Sequence, residues 1–136
     1  MIRKKVKRYK KCSGCQNLQG STMSYNIVYY ENENGKSQIR DFLDSLSPGI
    51  RAKLARNMML LEANGYDLGF PAIRPMGNDL FELWASGDNK IARVLYFFFD
   101  KSDIILTNSF IKKTQATPPV ELKRAESFRT DYKRRH

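Results

Sequence analysis

The sequence predicts an α+β domain, a small, largely antiparallel sheet with an N-terminal helix hairpin and a C-terminal helix. Three observations predict it. Apolar residues recur at helical spacing between residues 37 and 64, the period switches to two from residue 79, and a helix-start signal follows the last strand-like run. The order reads β-α-α-β-β-β-α. With 41% hydrophobic and 12% aromatic residues in 136, the chain is long and apolar enough to bury one core.

Tyr25 to Tyr30, rich in β-branched and aromatic residues, is the first strand, and "ENENGK" ends it. Ser37 caps a helix running to about Leu46, with Ile39, Phe42, Leu43 and Leu46 on one face. "SPG" breaks the chain, with Ser47 as N-cap and Pro48 at the first helical position. The second helix runs to Asn64, places Ile50, Leu54, Met58 and Leu61 at helical spacing, and stops at Gly65. Leu80–Trp84, Ile91–Phe99 and Ile104–Ile111 are strands, joined by turns in "ASGDNK" and "DKSD". Thr117, Pro118, Pro119 and Glu121 open a charged C-terminal helix.

The turns permit a register. A hairpin centred on Lys101 and Ser102 puts Arg93 opposite Phe110 and Ile91 opposite Lys112. One centred on Gly87 and Asp88 puts Glu82 opposite Arg93 and Trp84 opposite Ile91. One sheet face then carries Phe81, Leu83, Val94, Tyr96, Phe98, Ile105 and Ile111, the core face for the helices. The other carries Glu82, Trp84, Arg93, Asn108, Phe110 and Lys112, with Leu95, Phe97 and Leu106 further along. Lys113 points the opposite way.

Two readings stand for each polar residue here. Arg93 interrupts the longest apolar run, so it is either ion-paired across strands with Glu82 or held for a phosphate. Lys112 and Lys113 are a solvated strand end or an anion site. Trp84 either caps the core edge or offers a stacking platform.

Charge is unevenly placed. Residues 1–22 hold seven Lys/Arg and no acid, so the other residues share 17 bases and 14 acids. Eight of those bases, against three acids, lie in Ser109–His136. Two basic zones thus flank a near-neutral middle, a distribution suited to a polyanionic partner. Met23 opens "MSYNIVYY", so residues 1–22 read as a disordered basic extension and 23–136 as one domain; a nucleic-acid-binding arm is the other reading of the extension. Cys12 and Cys15 form one C-x-x-C with no second Cys or His pair to complete a zinc site, and the only histidine is His136. No metal or other cofactor is expected, and no P-loop or Ser/His/Asp set is present. No apolar run is long enough to span a bilayer, and neither a membrane nor a small-molecule substrate is expected.

The blocks "RPMGNDLFEL" (Arg74–Leu83), "RVLYFF" (Arg93–Phe98) and "FIKKTQATP" (Phe110–Pro118) occur in order at ordinary spacing. Together they resemble the RelE/HigB-type toxins of bacterial type II toxin–antitoxin modules, nearest the phage-derived HigB-like branch, over about Tyr25 to Tyr132. The resemblance implies a RelE-like fold in which helices cover one sheet face and the other cradles mRNA. It implies a cytoplasmic, ribosome-dependent endoribonuclease that inhibits translation and is neutralised by an antitoxin, often a helix-turn-helix protein. It assigns catalysis to Arg93, Lys112 and Lys113, with Glu82 as a candidate base; Trp84, Arg74, Asn108 and Phe110 are the expected RNA contacts. One departure matters: the family reads Glu-Leu-Arg where this chain reads Glu82-Leu83-Trp84. An indole can stack on a base but cannot stabilise an anion.

The expected chemistry is metal-independent attack of a ribose 2′-OH on the adjacent phosphorus, leaving a 2′,3′-cyclic phosphate and a 5′-OH. Arg93 would stabilise the phosphoryl charge and a lysine would assist proton transfer. A catalytically weakened module that binds antitoxin or nucleic acid is the alternative. A DNA-binding regulator built on the N-terminal arm is the third, and it requires residues 1–22 for function.

Overall fold

Five strands form one sheet in the computed structural model, which describes residues 25–65, 73–112 and 117–136. The extension expected over residues 1–22 lies outside the described residues, as does Lys113. The elements are β1 (Asn26–Tyr29), α1 (Gln38–Ser45), α2 (Pro48–Asn64), β2 (Ile73–Gly77), β3 (Leu80–Gly87), β4 (Lys90–Phe99), β5 (Asp103–Lys112) and α3 (Pro119–Arg135). The sheet order is β1-β5-β4-β3-β2, with β1 parallel to β5 and all other neighbours antiparallel. The fold class is the α+β arrangement that the periodicity predicts. One strand, β2, is additional: it is short, contains Pro75 and shows no alternation, all of which suit an edge strand.

The helix boundaries follow local chemistry. The Ser37 hydroxyl accepts from the Arg40 N–H at 3.1 Å, capping α1. Ser47 occupies the N-cap of α2 without capping it; its hydroxyl donates instead to Asp88 at 2.7 Å, tying the helix start to the β3–β4 turn. Gly65 ends α2 at φ 52, where an added Cβ would sit 2.1 Å from the Tyr25 ring.

The β3–β4 register differs from expectation. Its turn is Asp88-Asn89, both at positive φ (53 and 62), as a tight type I′ hairpin requires. Asn and Asp tolerate that region, so Gly87 is left in the strand. Trp84 therefore lies opposite Arg93, and Glu82 opposite Leu95. The shift is by two residues, so every side chain keeps its face. Between β4 and β5, Ile91↔Lys112 and Arg93↔Phe110 pair as expected. Beyond Leu95↔Asn108 the register slips, because the next pair is Tyr96↔Leu106 and Thr107 is the extra residue. The Thr107 hydroxyl is buried and donates to the Leu95 carbonyl at 3.0 Å. This bulge exchanges the expected faces of Ile105 and Leu106: Leu106 joins the core under α1 and α2, and Ile105 faces α3. Ile111, expected in the core, is exposed.

Both sheet faces are covered. Under α1 and α2 lie Ile27, Leu83, Val94, Tyr96, Ile104 and Leu106, packed against Ile39, Leu43, Leu54, Met58 and Leu61. Burial there pushes the Tyr96 hydroxyl well above its ordinary pKa. On the opposite face α3 lays Ala125 and Tyr132, with Leu122 and Phe128, over Leu95, Phe97, Ile105 and Phe110. The second face is thus not an open cradle along its length. It is roofed by α3 over Leu95, Phe97, Ile105 and Phe110, and Trp84, Ile91 and Lys112 lie beyond that roof at the open end, each partly exposed. No helix among the described residues is long and apolar enough to cross a membrane.

Candidate functional site

At that open end the strand register brings the polar residues of four strands together. Arg74 of β2 lies beside Glu82, Trp84 beside Arg93, Arg93 beside Phe110, and Ile91 beside Lys112. Alternation along each strand puts Glu82, Trp84, Arg93, Phe110 and Lys112 on one face.

Glu82 is the centre of the group. Its Oε1 accepts from Arg93 Nη1 at 2.5 Å and from Arg74 Nη2 at 3.3 Å, and its Oε2 accepts from the Thr117 hydroxyl at 2.6 Å. Glu82 and Arg93 are 0% and 2% exposed, whereas the Arg74 side chain is 42% exposed. A charged pair this deep survives only because ionised partners and hydrogen bonds replace lost water. The ion-pair reading of Arg93 therefore describes its position, and the guanidinium does not face solvent. Three donors occupy the Glu82 carboxylate, which organises the cluster from a buried position.

The remaining expected residues divide in two. Asn108 and Phe110 are buried beneath α3, Asn108 at 0% exposure. The Asn108 amide donates to Glu121 Oε1 at 2.9 Å and to the Glu121 carbonyl at 3.3 Å, which fixes the first turn of α3 to β5. Neither reaches a ligand unless α3 moves. Arg74, Trp84 and Lys112 are each partly exposed, Trp84 and Lys112 towards the open end and Arg74 on the edge strand beside Glu82. Trp84 is anchored through its backbone, whose carbonyl accepts from Asn57 of α2 at 2.9 Å.

Thr117 is the contributor that sequence reasoning missed. It reads as part of a helix start, yet Pro118 takes the N-cap position and the Thr117 hydroxyl turns to Glu82, 35 residues earlier. No local pattern encodes so distant a contact. Among the described residues no group of three or more His, Cys, Asp and Glu could hold a metal. The chemistry available here is anion binding by Arg74 and Lys112 beside an indole, over a buried ion pair that sets strand geometry.

The sequence matches the family model described as Phage derived protein Gp49-like (DUF891) over residues 41–129, more than half of the chain. That stretch includes α2, the strands β2 to β5 and most of α3. No curated protein matches the chain at a significant level.

Proposed function

The chain belongs to the phage-derived Gp49-like family, and on that premise we propose that it is the toxin of a toxin–antitoxin module, acting on ribosome-bound mRNA. One observation carries this reading: Trp84 and Lys112, an indole and a cation, are partly exposed on one sheet face, with the Arg74 cation on the neighbouring edge strand beside Glu82. Cations take phosphate, and the indole stacks on a base. The 2′-OH of the bound nucleotide attacks the adjacent phosphorus, the P–O5′ bond breaks, and the products are a 2′,3′-cyclic phosphate and a 5′-OH. Lys112 or Lys113 holds the scissile phosphate and assists proton transfer, Arg74 binds a neighbouring phosphate, and the ribosome orients the strand. Arg93, paired to Glu82, positions β4 beneath them. A cognate antitoxin, of the helix-turn-helix class, and a cytoplasmic site of action complete the proposal.

The burial of Arg93 against Glu82 favours a second reading, a module that binds RNA or antitoxin without cutting. Inducing the chain in bacteria and mapping mRNA 5′ ends separates the two. Under the toxin reading growth stops, new 5′-OH ends appear, and Lys112→Ala lowers cleavage on the order of a hundredfold, as loss of one transition-state donor does. Trp84→Arg, which restores the residue usual in the resembling toxins, then raises cleavage. Normal growth and unchanged 5′ ends with folded protein present would refute cleavage and leave binding.

A further inference from the structure

β4 outruns its neighbour. Tyr96 pairs with Phe81 near the start of β3, and Phe97 to Phe99 continue beyond it. In the space between the β2–β3 turn and the second half of α3 lies a cavity of about 260 Å³, lined by Asp79, Phe81, Phe97, Phe98, Arg129 and Lys133. Drug-sized sites run to roughly 300–1,000 Å³, so this one takes a single ring system and not a dinucleotide.

Its lining is specific in kind. Arg129 and Lys133 are one helical turn apart on the same face of α3. The Arg129 guanidinium donates to the Asn78 carbonyl, which holds it at the turn. Lys133 is exposed and makes no ion pair among the described residues. Asp79 sits in the turn at φ 63 and brings an acceptor-only carboxylate to the same cavity. Phe81 and Phe98, both partly exposed, supply aromatic surface for a planar ring, while Phe97 is buried under α3. Cations for a phosphate, aromatic walls for a base and a carboxylate for an N–H donor are the three parts of a nucleotide site.

We propose that this cavity binds one nucleotide of a single-stranded RNA. The base lies against Phe81 and Phe98, the phosphate meets Arg129 and Lys133, and Asp79 accepts from an exocyclic amine, so cytosine is preferred to uracil. The assignment of RNA as the polymer rests on the toxin reading, but the site is tested by binding and not by cleavage.

The test is fluorescence anisotropy of labelled hexacytidylate and hexauridylate with the purified full chain. Cytidylate binds about tenfold tighter, the worth of one good base-edge hydrogen-bonding set. Asp79→Asn removes that preference. Lys133→Glu, a charge reversal at an exposed position, weakens both oligonucleotides and lowers the slope of log K against log salt by about 0.7, the share of one phosphate contact. Equal affinity for the two polymers, no binding of either, or unchanged binding by Lys133→Glu would each overturn the site. Absence of mRNA cleavage in cells, with the cytidylate preference intact, would overturn the toxin reading and leave this site standing.

Discussion

The two faces of the sheet are closed by different chemistry. The face under α1 and α2 is filled by aliphatic and aromatic side chains from both layers. The face under α3 has an apolar half, and beside it a buried carboxylate with a buried guanidinium. Apolar packing degrades gradually, since each lost methylene costs its transfer energy and a cavity. A buried ion pair fails abruptly, because removing one partner strands the other charge. The first face is therefore built for stability. The second holds a charged cluster that is tolerated only when complete, and that is the end where Arg74, Trp84 and Lys112 open to solvent.

Breaking the cluster gives the largest effect. Glu82→Ala removes the acceptor of Arg93, Arg74 and Thr117 together and leaves Arg93 buried without its carboxylate. The expected loss is about 3–5 kcal/mol, measured by urea denaturation. Replacing both members, Glu82→Leu with Arg93→Met, should recover most of it, since apolar pairs of similar volume often match a buried ion pair. A double variant no better than the single would show that the pair is not the source of the loss. On the other face, Leu54→Ala opens a cavity at a site with 0% exposure and should cost about 3 kcal/mol. No second substitution restores that loss by charge balance.

The same contrast explains what could be read in the sequence. Helical period and caps placed Ser37, Pro48, Asn64 and Gly65 correctly, because helix ends are encoded within a few residues. The sharing of one face by Glu82, Trp84, Arg93 and Lys112 was also legible, since a two-residue register error preserves faces. The bulge at Thr107 was not, because one extra residue in an apolar run leaves no pattern. Nor was the roof over Asn108 and Phe110. The mean character of α3 is charged, and its apolar residues Leu122, Ala125, Phe128 and Tyr132 make a narrow stripe among bases.

Gly65 joins the first face to β1 and gives a smaller, local effect. Gly65→Ala places a methyl group within the Tyr25 ring, at a backbone conformation that L side chains rarely adopt. The expected cost is about 1–3 kcal/mol, within the usual range for backbone strain. Tyr25→Ala in the same background should remove the clash and leave only the conformational part. If Tyr25→Ala rescues nothing, the backbone and not the ring sets the requirement.

The smallest effect lies at the far end of α3 and tests how that helix is held on the second face. Arg135 donates to Asp131 Oδ2 at 2.7 Å through Nη2 and at 3.0 Å through Nε, and Nη2 also donates to the Glu31 carbonyl at 2.6 Å. The Tyr30 hydroxyl donates to the same Oδ2 at 2.6 Å. Hydrogen bonds from Arg135 first, and from Tyr30 second, hold the Asp131 carboxyl down to about 2. Burial raises the Tyr30 hydroxyl, and its bond to Asp131 raises it further. A depressed carboxyl stabilises the fold above its unfolded pKa, and that contribution is lost as pH falls from the ordinary 3.8 towards about 2. Because the group lies near solvent, screening limits the contribution to below about 1 kcal/mol. Urea midpoints for the wild type and Asp131→Asn should therefore differ at pH 7 and converge only as pH falls to about 2, with the difference at pH 7 shrinking in high salt. A gap that stays constant with pH would mean that the amide loses packing and not charge. The far end of the helix would then be held on this face by the packing of Phe128 and Tyr132.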